Sequence, residues 1–564
     1  MRKNYPLLPK LFTVIKEGYG FKAFMPDLGA GIIVGIIAVP LAIAFAVASG
    51  VKPEQGLYTA VIGGFFISLL GGSRFQIGGP TGAFVVVVAG IMAQHGYGGL
   101  VTAMIMAGIM MIIMGLLGMG SFIKFIPYPV TVGFTAGIAV IIAVSQIKDL
   151  TGMSGEAPAE FIERVSFYAA NMDKINPWDL GIGICGIALL AAWHKVPGKV
   201  PGSLVLIILA TAAVRFFRIP AETIGHRFGV MSAALPQISF PQISLESVRR
   251  LFSPAVTIAL LASIESLLSA VVADGMTGRK HRSNAEITAQ GVANIMSGLF
   301  GGIPATGAIA RTAANIKNGG KTPVAGIIHS VTVLFVLLFF GRFAAMIPMA
   351  ALAAILIVVA YNMGEWKYFA GIFRYPKSDA AIMLVTFLLT VFVDLTAAIE
   401  AGILLSMFLL MRRLSDVTRS EFITNSLKED EEKNDDKSIN ARKVPEGVEV
   451  FEIDGVFFFG AVDAFKNAME EMSKKPKVFV LRMRKVLSVD AAGLKAIEEL
   501  HEKFRREGVD FVLSGVHAQP YFAMEKAGLN DIIGRENVTA DIDGALARAA
   551  VIIEQSTVKN SPER

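Results

Sequence analysis

Two charged side chains lie inside long apolar segments, where an ionised group is stable only if something compensates its charge. Glu265 is in the run SIESLL and Arg311 is in the run AIARTAAN. Charged residues at such positions pair with each other or contact water or a bound ion. Glu265 could be a permanent ion-pair partner of Arg311, or a carboxyl group that takes up and releases a proton, because burial disfavours its ionised form while Arg311 favours it. Arg311 could correspondingly bind an anion or serve only as the partner of Glu265.

A glycine-broken phrase occurs twice, as IGGPTGAF around Thr81–Ala83 and as GGIPATGAIAR around Thr306–Ala308. A helix that begins after such a break exposes free backbone N–H groups and the positive end of its dipole, and both favour anions. The alternative explanation is close helix packing, which small residues permit. The donors expected from the phrases are the N–H groups of Thr81, Gly82, Ala83, Gly307, Ala308 and Ile309.

The composition places most of the chain in lipid. Of 564 residues, 54% are hydrophobic and 17% are charged, and the mean hydropathy is +0.58. Soluble domains carry about 25% charged residues, so one soluble core cannot hide this apolar excess. The formal net charge of +6 is small for this length. The single cysteine, Cys185, excludes an intrachain disulfide, and its apolar run predicts a buried, unreactive thiol.

Fourteen apolar segments are predicted to form membrane spans. They cover residues 28–48, 56–71, 80–94, 99–119, 128–147, 177–193, 203–217, 253–273, 286–300, 305–316, 323–340, 346–361, 379–396 and 398–411. The loops after even-numbered spans are basic, which predicts that both termini are cytoplasmic. Seven spans per half put the two phrases on the short third and tenth spans. This predicts inverted repeats whose broken helices face each other at the membrane centre.

Beyond the spans, the sequence changes to that of a soluble region. Residues 414–445 include KEDEEKNDDK and predict a solvated linker. Residues 446–555 alternate strands and helices, which predicts an α/β domain. In it, VEVFEIDGVFFFG predicts a strand pair, KVFVLRM and DFVLSGV predict buried strands, and DAAGLKAIEELHEKFRREG predicts a long helix. The remaining predicted segments are a cytoplasmic N-terminal segment (1–26), a transmembrane domain (27–413) and a disordered tail (556–564).

Four stretches resemble the SulP family of anion transporters. They are DLGAGIIVGIIAVPLAIAFAVASGV, IGGPTGAF, ASIESLLSAVVADGMTGRKHRSNAEITAQGVAN and GGIPATGAIARTAANIKNGGKTPVAGIIH, and the C-terminal domain resembles a STAS domain. Within the family the sequence is most similar to the bacterial branch that contains the dicarboxylate transporter DauA, and next to the BicA bicarbonate transporters. The resemblance implies a polytopic α-helical protein with fourteen helices in a seven-plus-seven inverted repeat. It further implies core and gate domains, a homodimer and an elevator-like movement of the core.

The resemblance also implies roles for individual residues. Phe45 matches an aromatic residue that lines the anion pocket in relatives, although a core phenylalanine is an equally good explanation. The position of Glu265 holds an acid linked to cation coupling in relatives. Ser269, one turn further on, would be the matching oxygen ligand if the coupling ion were sodium, but the longer Glu265 side chain favours a proton. Leu41 stands where sulfate-transporting members usually have Gln, which weakens a prediction of sulfate. C4-dicarboxylate, bicarbonate and sulfate all remain candidates.

In the tail, VLSVDAAGLKAI matches the segment that carries Asp-Ser-Ser-Gly in STAS domains of the anti-sigma-antagonist type. Asp490 is predicted to cap a helix. Ala491 and Ala492 occupy the serine positions, so phosphorylation at this site is excluded. A structural, dimer-supporting or partner-docking role is therefore expected for this domain.

Together these features predict a secondary active transporter of small anions in the bacterial inner membrane, with proton-coupled symport through Glu265. The alternatives are an uncoupled anion channel, a sodium-coupled bicarbonate symporter, and a membrane scaffold or sensor that signals through the STAS domain. An enzyme is not expected, because the histidines are scattered and no metal-ligand spacing or ATPase phosphate loop is present. No cofactor besides the coupling ion and no nucleic-acid partner is expected. The expected partners are the anion, the lipid bilayer, a second copy of the chain and a cytoplasmic protein on the STAS domain.

Overall fold

The computed structural model describes residues 7–121, 127–155, 157–158, 160–193, 201–229, 231, 234–241, 244–417, 419–422, 444–470 and 475–559. The chain divides into two compact units, Met1–Ser406 and Met407–Arg564. The first unit holds a large cluster of buried aliphatic residues from many helices. The second has separate apolar clusters of its own.

The first unit is helical, and each of the fourteen predicted spans is occupied by helix. Its helices are α1 (Lys10–Lys16), α2 (Phe21–Ala48), α3 (Pro53–Tyr58), α4 (Gly64–Leu70), α5 (Ala83–Leu116), α6 (Tyr128–Ser145), α7 (Ile147–Thr151), α8 (Phe161–Ala170), α9 (Pro177–Trp193), α10 (Gly202–Phe217), α11 (Ile224–Phe228), α12 (Leu245–Thr277), α13 (Ser283–Leu299), α14 (Ile309–Lys317), α15 (Val324–Ala344), α16 (Met349–Met363), α17 (Trp366–Gly371), α18 (Lys377–Phe392) and α19 (Leu395–Val417). Seven of the described helical segments are long and apolar enough to cross a membrane. The chain is thus a polytopic α-helical membrane protein.

The third and tenth spans are short helices that start inside the protein, as predicted. α5 contains both the third and the fourth span, because Gly96 (φ 63, ψ −173) breaks the helix between them. α14 is only nine residues long. Two-residue strands precede both helices, β1 (Gly78–Gly79) before α5 and β2 (Thr306–Gly307) before α14.

β1 and β2 pair with each other in antiparallel orientation, so the two glycine phrases meet in space. Gly78 lies opposite Gly307, and Gly79 lies opposite Thr306. Gly79 adopts φ +150, and a Cβ at this position would lie 2.5 Å from Arg311 Nη1. Only glycine combines this backbone conformation with such a close approach.

α13 supplies polar side chains that bind the backbone around both breaks. Asn294 donates from Nδ2 to Ala305 O (2.8 Å) and accepts at Oδ1 from Ala305 N (2.9 Å). Ser297 Oγ donates to Ile303 O (2.7 Å). Towards the other end of α13, Glu286 Oε2 accepts from the N–H groups of Gly72 (2.8 Å) and Ser73 (3.0 Å). These α13 side chains are completely buried, and their spacing of eight and three residues puts them on one helix face.

The second span adds a further contact to the same region. α3 and α4 are joined by a π-helical turn, Thr59–Gly63, a feature often found at functional sites. Thr59 Oγ1 accepts from Ile303 N at 2.7 Å. The chain before β2 is therefore fixed by both α13 and the second span.

Outside the spans, Asp27 joins the start of α2 to the loop before α15. Its carboxylate accepts from Lys321 N (2.7 Å), Thr322 N (3.1 Å) and Tyr19 Oη (3.1 Å). Burial, together with the Asp27 carboxylate, raises the pKa of Tyr19 to about 12. Tyr19 therefore keeps its proton and can donate to Asp27 at neutral pH.

The second unit is built on a five-stranded sheet with the order β3-β4-β5-β6-β7. Its strands are β3 (Arg419–Phe422), β4 (Val448–Phe457), β5 (Val478–Val489), β6 (Asp510–Ser514) and β7 (Val538–Thr539), and its helices are α20 (Phe459–Glu470), α21 (Ala491–Glu507), α22 (Ala518–Lys526), α23 (Leu529–Ile533) and α24 (Ile542–Lys559). β3 is antiparallel to β4, and the other neighbours are parallel. Alternate residues of β4 and β5 contribute to two different apolar clusters, as expected for a sheet covered on both faces. Asp490 caps α21, as predicted, because its side chain accepts from Gly493 N at 2.8 Å.

Several local predictions need correction. The segment predicted as a strand pair is the single strand β4, which continues past Gly455 (φ +120) with a shift of register against β5. β3 lies inside the segment predicted as a linker, whereas residues 423–443 of that segment lie outside the described residues. α24 continues to Lys559, inside the segment 556–564 that was predicted to be disordered. Cys185 was predicted to be buried, but it is exposed on α9.

We expect Asn294→Ala to destabilise the membrane unit, because it leaves the N–H and C=O of Ala305 unpaired in a buried position. Each unpaired group costs about 1–3 kcal/mol. The measurement is the thermal unfolding midpoint of the detergent-solubilised protein. The matched control is Asn318→Ala, which removes a single bond to Ala314 O within the last turn of α14. Equal midpoints for the two variants would contradict the role of Asn294.

Candidate anion-binding site

The starts of the two broken helices both contact the middle of α12. Thr81 Oγ1, just before α5, donates to Glu265 Oε2 at 2.7 Å. Thr306 Oγ1, just before α14, donates to the backbone carbonyl of Ala262 at 2.9 Å. Ala262 and Glu265 are three residues apart, so the two threonines bind successive positions on one side of this helix. The structure therefore brings Glu265 to the start of α5.

Phe45 lies beside the start of α5, on the helix of the first span. A Cβ on Gly82 would lie 3.4 Å from Phe45 Cε1, and 3.7 Å from both Ile142 Cδ1 and Met363 Sδ. These are ordinary van der Waals distances, so Phe45, Ile142 and Met363 surround Gly82 without crowding it. Phe45 is buried in the main apolar cluster of the first unit, and its role in lining an anion pocket stays a prediction.

The backbone donors differ from the prediction at one position. Ala308 N–H, which was predicted to be free, donates to Ile77 O at 2.9 Å and is part of the β1–β2 crossing. Gly307 lies opposite Gly78 in the same crossing. The N–H groups of Ile309 and of the next residue in the first turn of α14 have no acceptor within the helix. Ala308 is thus removed from the predicted donors, whereas Ile309 remains one of them.

Backbone hydrogen bonds form within the first turn of α5. The N–H groups of Phe84 and Val85 donate to Thr81 O (3.3 Å) and Gly82 O (3.0 Å). The N–H groups of Thr81, Gly82 and Ala83 take no part in these bonds. The three predicted donors of the first phrase thus lie at the positive, N-terminal end of the helix dipole.

Arg311 links the two repeats rather than pairing with Glu265. Its Nη2 donates to Pro80 O, in the break before α5. In the part of the chain that the structure describes, Arg311 has no ion pair with Glu265, and its Nη1 has no hydrogen-bond partner. The side chain is only 3% exposed. A buried cation with a free donor therefore lies where the two helix starts cross, a suitable position for stabilising an anion.

Glu265 is half-buried and borders a small cavity on the side of α6 and α19. The cavity has a volume of about 30 Å³, which is enough for a water molecule. Its other lining residues are Val130, Thr131, Phe134 and Thr135 of α6, Leu261, Ile264 and Leu268 of α12, and Ile399 of α19. Glu265 thus binds the start of α5 through Thr81 and also lines this small, mostly apolar cavity.

Ser269 binds Thr312 rather than Glu265 in the part of the chain that the structure describes. Its hydroxyl is completely buried and donates to Thr312 Oγ1 at 3.0 Å, and Thr312 Oγ1 also accepts from Ile77 N at 3.1 Å. Ser269 therefore connects α12 to α14 and to the chain before β1, and the structure does not join it to Glu265. Among the described residues there is no cluster of three or more metal-ligating side chains.

Two further polar residues belong to this region and were not predicted. Gln76 lies directly against Gly307, since a Cβ there would lie 1.8 Å from Gln76 Nε2. His329 of α15 is completely buried. Neither side chain has a hydrogen-bond partner among the described residues. The sequence signal that could have found them is a polar residue beside a glycine phrase, for Gln76, and a polar residue within an apolar span, for His329.

A helical membrane unit with two helices that start at a shared crossing, followed by an α/β domain, has the architecture of a membrane transporter with a soluble extension. Comparison with known families agrees. Residues 24–386 match the sulfate permease family, and residues 440–545 match the STAS domain. The chain belongs to the sulfate permease family, and the predicted SulP resemblance and STAS domain are confirmed.

Relatives of similar length support this assignment. YvdB of Bacillus subtilis (strain 168), named as a candidate sulfate transporter, is 42% identical over 524 residues, which cover 92% of this chain and 97% of YvdB. The bicarbonate transporter BicA of Picosynechococcus sp. is 32% identical over 468 residues, or 80% of this chain and 82% of BicA. The similarity to the DauA branch stays a prediction.

Solved structures show the same fold. The murine Solute Carrier 26 family member A9 anion transporter, in an inward-facing state, matches with a TM-score of 0.85 at 19% identity and covers 97% of this chain and 94% of its own. The transmembrane domain of a cyanobacterial BicA matches with a TM-score of 0.62 at 31% identity and covers 68% of this chain and 98% of its own. The fold with fourteen spans in two inverted repeats is thus shared with these transporters.

We expect Arg311→Ala to weaken sulfate binding by about tenfold or more, because a hydrogen bond from a charged donor is worth at least that factor. Equilibrium binding of labelled sulfate to purified, monodisperse protein measures the effect. Lys317→Ala is the matched control, since Lys317 is an exposed cation at the far end of the same helix. An unchanged affinity in Arg311→Ala would assign Arg311 to the scaffold alone.

Proposed function

We propose that the protein is a secondary active anion transporter in which a proton on Glu265 accompanies the anion. The observation that carries the proposal is the 2.7 Å hydrogen bond from Thr81 to Glu265. It joins a titratable carboxyl group directly to the start of a helix that is suited to bind the anion. An uncoupled channel would need no such carboxyl group beside its anion site.

The substrate class that fits the site is a small oxyanion. The expected ligands are backbone N–H groups and Arg311, which bind oxygen atoms without requiring one particular anion. Names of relatives include both sulfate and bicarbonate transporters, and C4-dicarboxylates are the third candidate. We place sulfate and bicarbonate first because the relatives with the highest identities carry those names.

A proton is the preferred coupling ion, because in the part of the chain that the structure describes the expected sodium ligand is not joined to Glu265. Ser269, the expected partner for sodium, donates to Thr312 instead. A carboxyl group beside a space for water can exchange a proton without further ligands. The sodium-coupled bicarbonate symporter is thus the second candidate, supported by the similarity to BicA.

We further propose elevator-type alternating access. The side chains of α6 and α19 that face Glu265 across the cavity are apolar or threonine, so the surfaces in contact can slide without breaking ion pairs. In this proposal the protein is a homodimer in the plasma membrane, both termini are cytoplasmic, and the STAS domain docks a cytoplasmic protein. A scaffold or sensor without transport would not need the intact crossing of the two phrases.

We expect a pH gradient, acidic outside, to drive accumulation of sulfate or bicarbonate into proteoliposomes, because the proton moves with the anion. The measurement is uptake of labelled sulfate, bicarbonate and succinate with a proton gradient, a sodium gradient or no gradient imposed in turn. Accumulation under the sodium gradient alone would favour the sodium symporter. Uptake that ignores both gradients would indicate a channel or an exchanger.

We expect Glu265→Gln to abolish proton-driven accumulation while anion binding stays measurable, because glutamine has the same shape but cannot release a proton. Counterflow exchange of labelled anion, which needs no gradient, shows whether the variant still moves its cargo. Glu400→Gln on α19 is the control, because it neutralises an exposed acid in the same unit. Full accumulation by the Glu265 variant would refute proton coupling at this residue.

A further inference from the structure

We propose that the Thr81 hydroxyl transmits the protonation state of Glu265 to the bound anion, an inference that rests on the proposed function of Glu265. The geometry points to this because Thr81 Oγ1 is the atom that joins the carboxyl group to the start of α5. The next residue, Gly82, lies against Phe45 at the predicted pocket. Thr81 thus contacts Glu265 directly and is adjacent in sequence to the glycine that lies beside Phe45.

The chemistry follows from what each group can donate. An ionised carboxylate only accepts hydrogen bonds, so Thr81 must donate its single O–H to Glu265. When Glu265 takes up a proton, the new carboxyl O–H donates to Thr81 Oγ1. The Thr81 O–H is then free to rotate and donate to the anion. One proton is added to Glu265, and no other covalent bond changes.

The two repeats differ in this respect. Thr306 donates to the carbonyl of Ala262, which only accepts at every pH, so its hydroxyl has one fixed direction. Thr306 is also completely buried, whereas Thr81 is half-buried. Only the first phrase can therefore change its hydrogen bonding with the state of Glu265.

The charged groups around Glu265 are compatible with this switch. Arg311 of α14 is the charged side chain near the crossing, and it donates to Pro80 O. On α13, Glu286 is bound to the backbone of Gly72 and Ser73, and His329 of α15 is buried. The side chains of α6 and α19 that line the cavity beside Glu265 have no ionisable groups. Proton uptake at Glu265 therefore has Thr81 as its direct hydrogen-bond partner.

The consequence is a positive linkage between proton and anion. Protonation of Glu265 adds one donor to the anion site, so affinity for the anion rises as the pH falls. By reciprocity, the bound anion raises the affinity of Glu265 for its proton. The loaded state then carries both ions, as symport requires.

The test is equilibrium binding of labelled sulfate to the full-length protein in lipid nanodiscs over a series of pH values. Sulfate keeps its charge across mildly acid to mildly alkaline pH, and labelled succinate is used beside it as a second probe. The wild type is expected to bind about tenfold more tightly at the acid end, the size expected for a hydrogen bond to an anion. Thr81→Val and Thr81→Ala, which lack the hydroxyl, are expected to lose the part of this pH dependence that the hydrogen bond supplies and to keep only the weaker part due to the charge of Glu265.

Three matched variants accompany them. Thr81→Ser keeps the hydroxyl and is expected to keep the pH dependence. Thr306→Val removes the equivalent hydroxyl of the other repeat and is expected to keep the pH dependence, whatever its affinity. Glu265→Gln is expected to bind with a constant affinity close to that of the acid state, because its amide N–H donates to Thr81 as the protonated carboxyl does.

The outcomes distinguish the role of Thr81 from proton coupling at Glu265. A full pH dependence in the Thr81→Val and Thr81→Ala variants, with none in Glu265→Gln, would overturn the role of Thr81 and leave proton coupling intact. A wild type whose affinity for sulfate is independent of pH would overturn the proposed coupling itself. Infrared spectroscopy gives a second readout. The C=O band of protonated Glu265, identified by its loss in Glu265→Gln, should shift when sulfate binds to the wild type but not to Thr81→Val.

Discussion

Backbone groups inside a membrane have no water to bind, and this constraint governs the centre of the first unit. Each unpaired N–H or C=O there costs several kcal/mol, yet two helices start at this depth. Backbone groups at the two breaks bind each other, through the β1–β2 pair and the bond from Ala308 N to Ile77 O. α13 then supplies Asn294 and Ser297 for the chain before β2. Because each break depends on the other, the two repeats form one site rather than two.

The same constraint explains which features the sequence could predict. Helix breaks are local, so Gly-Gly and proline in apolar runs were sufficient to locate the short third and tenth spans. The inverted repeat then predicted that these two spans meet. The partner of each backbone group was not predictable, because it depends on register across elements far apart in the chain. This is why Ala308 was expected to have a free N–H, and why the binding of Asn294 to Ala305 was missed.

Side-chain partners were harder to predict than positions. Glu265 and Arg311 were predicted inside spans eight and ten, and whether they form an ion pair with each other was left open. Arg311 turns to Pro80 O because a carbonyl left free by the break needs a donor. In the second unit, Gly455 allowed β4 to bend and continue where a strand pair was expected. Asp490 was correctly predicted as a helix cap, but it also accepts from Phe459 N (3.1 Å) and so joins α20 to α21.

Inverted repeats give the two halves similar backbones, so the functional differences between the halves come from their side chains. Both phrases provide a helix start, but the position that holds Arg311 in the second repeat holds Val86 in the first. Thr81 meets a carboxyl group, whereas Thr306 meets a carbonyl. The fixed cation thus belongs to one repeat and the contact with a titratable acid to the other. In the proposed function, an anion between them would contact the Arg311 charge and a Thr81 hydroxyl whose direction depends on Glu265. In the proposed mechanism, the backbone supplies the affinity for oxyanions in general, and this asymmetry of side chains ties the affinity to the proton.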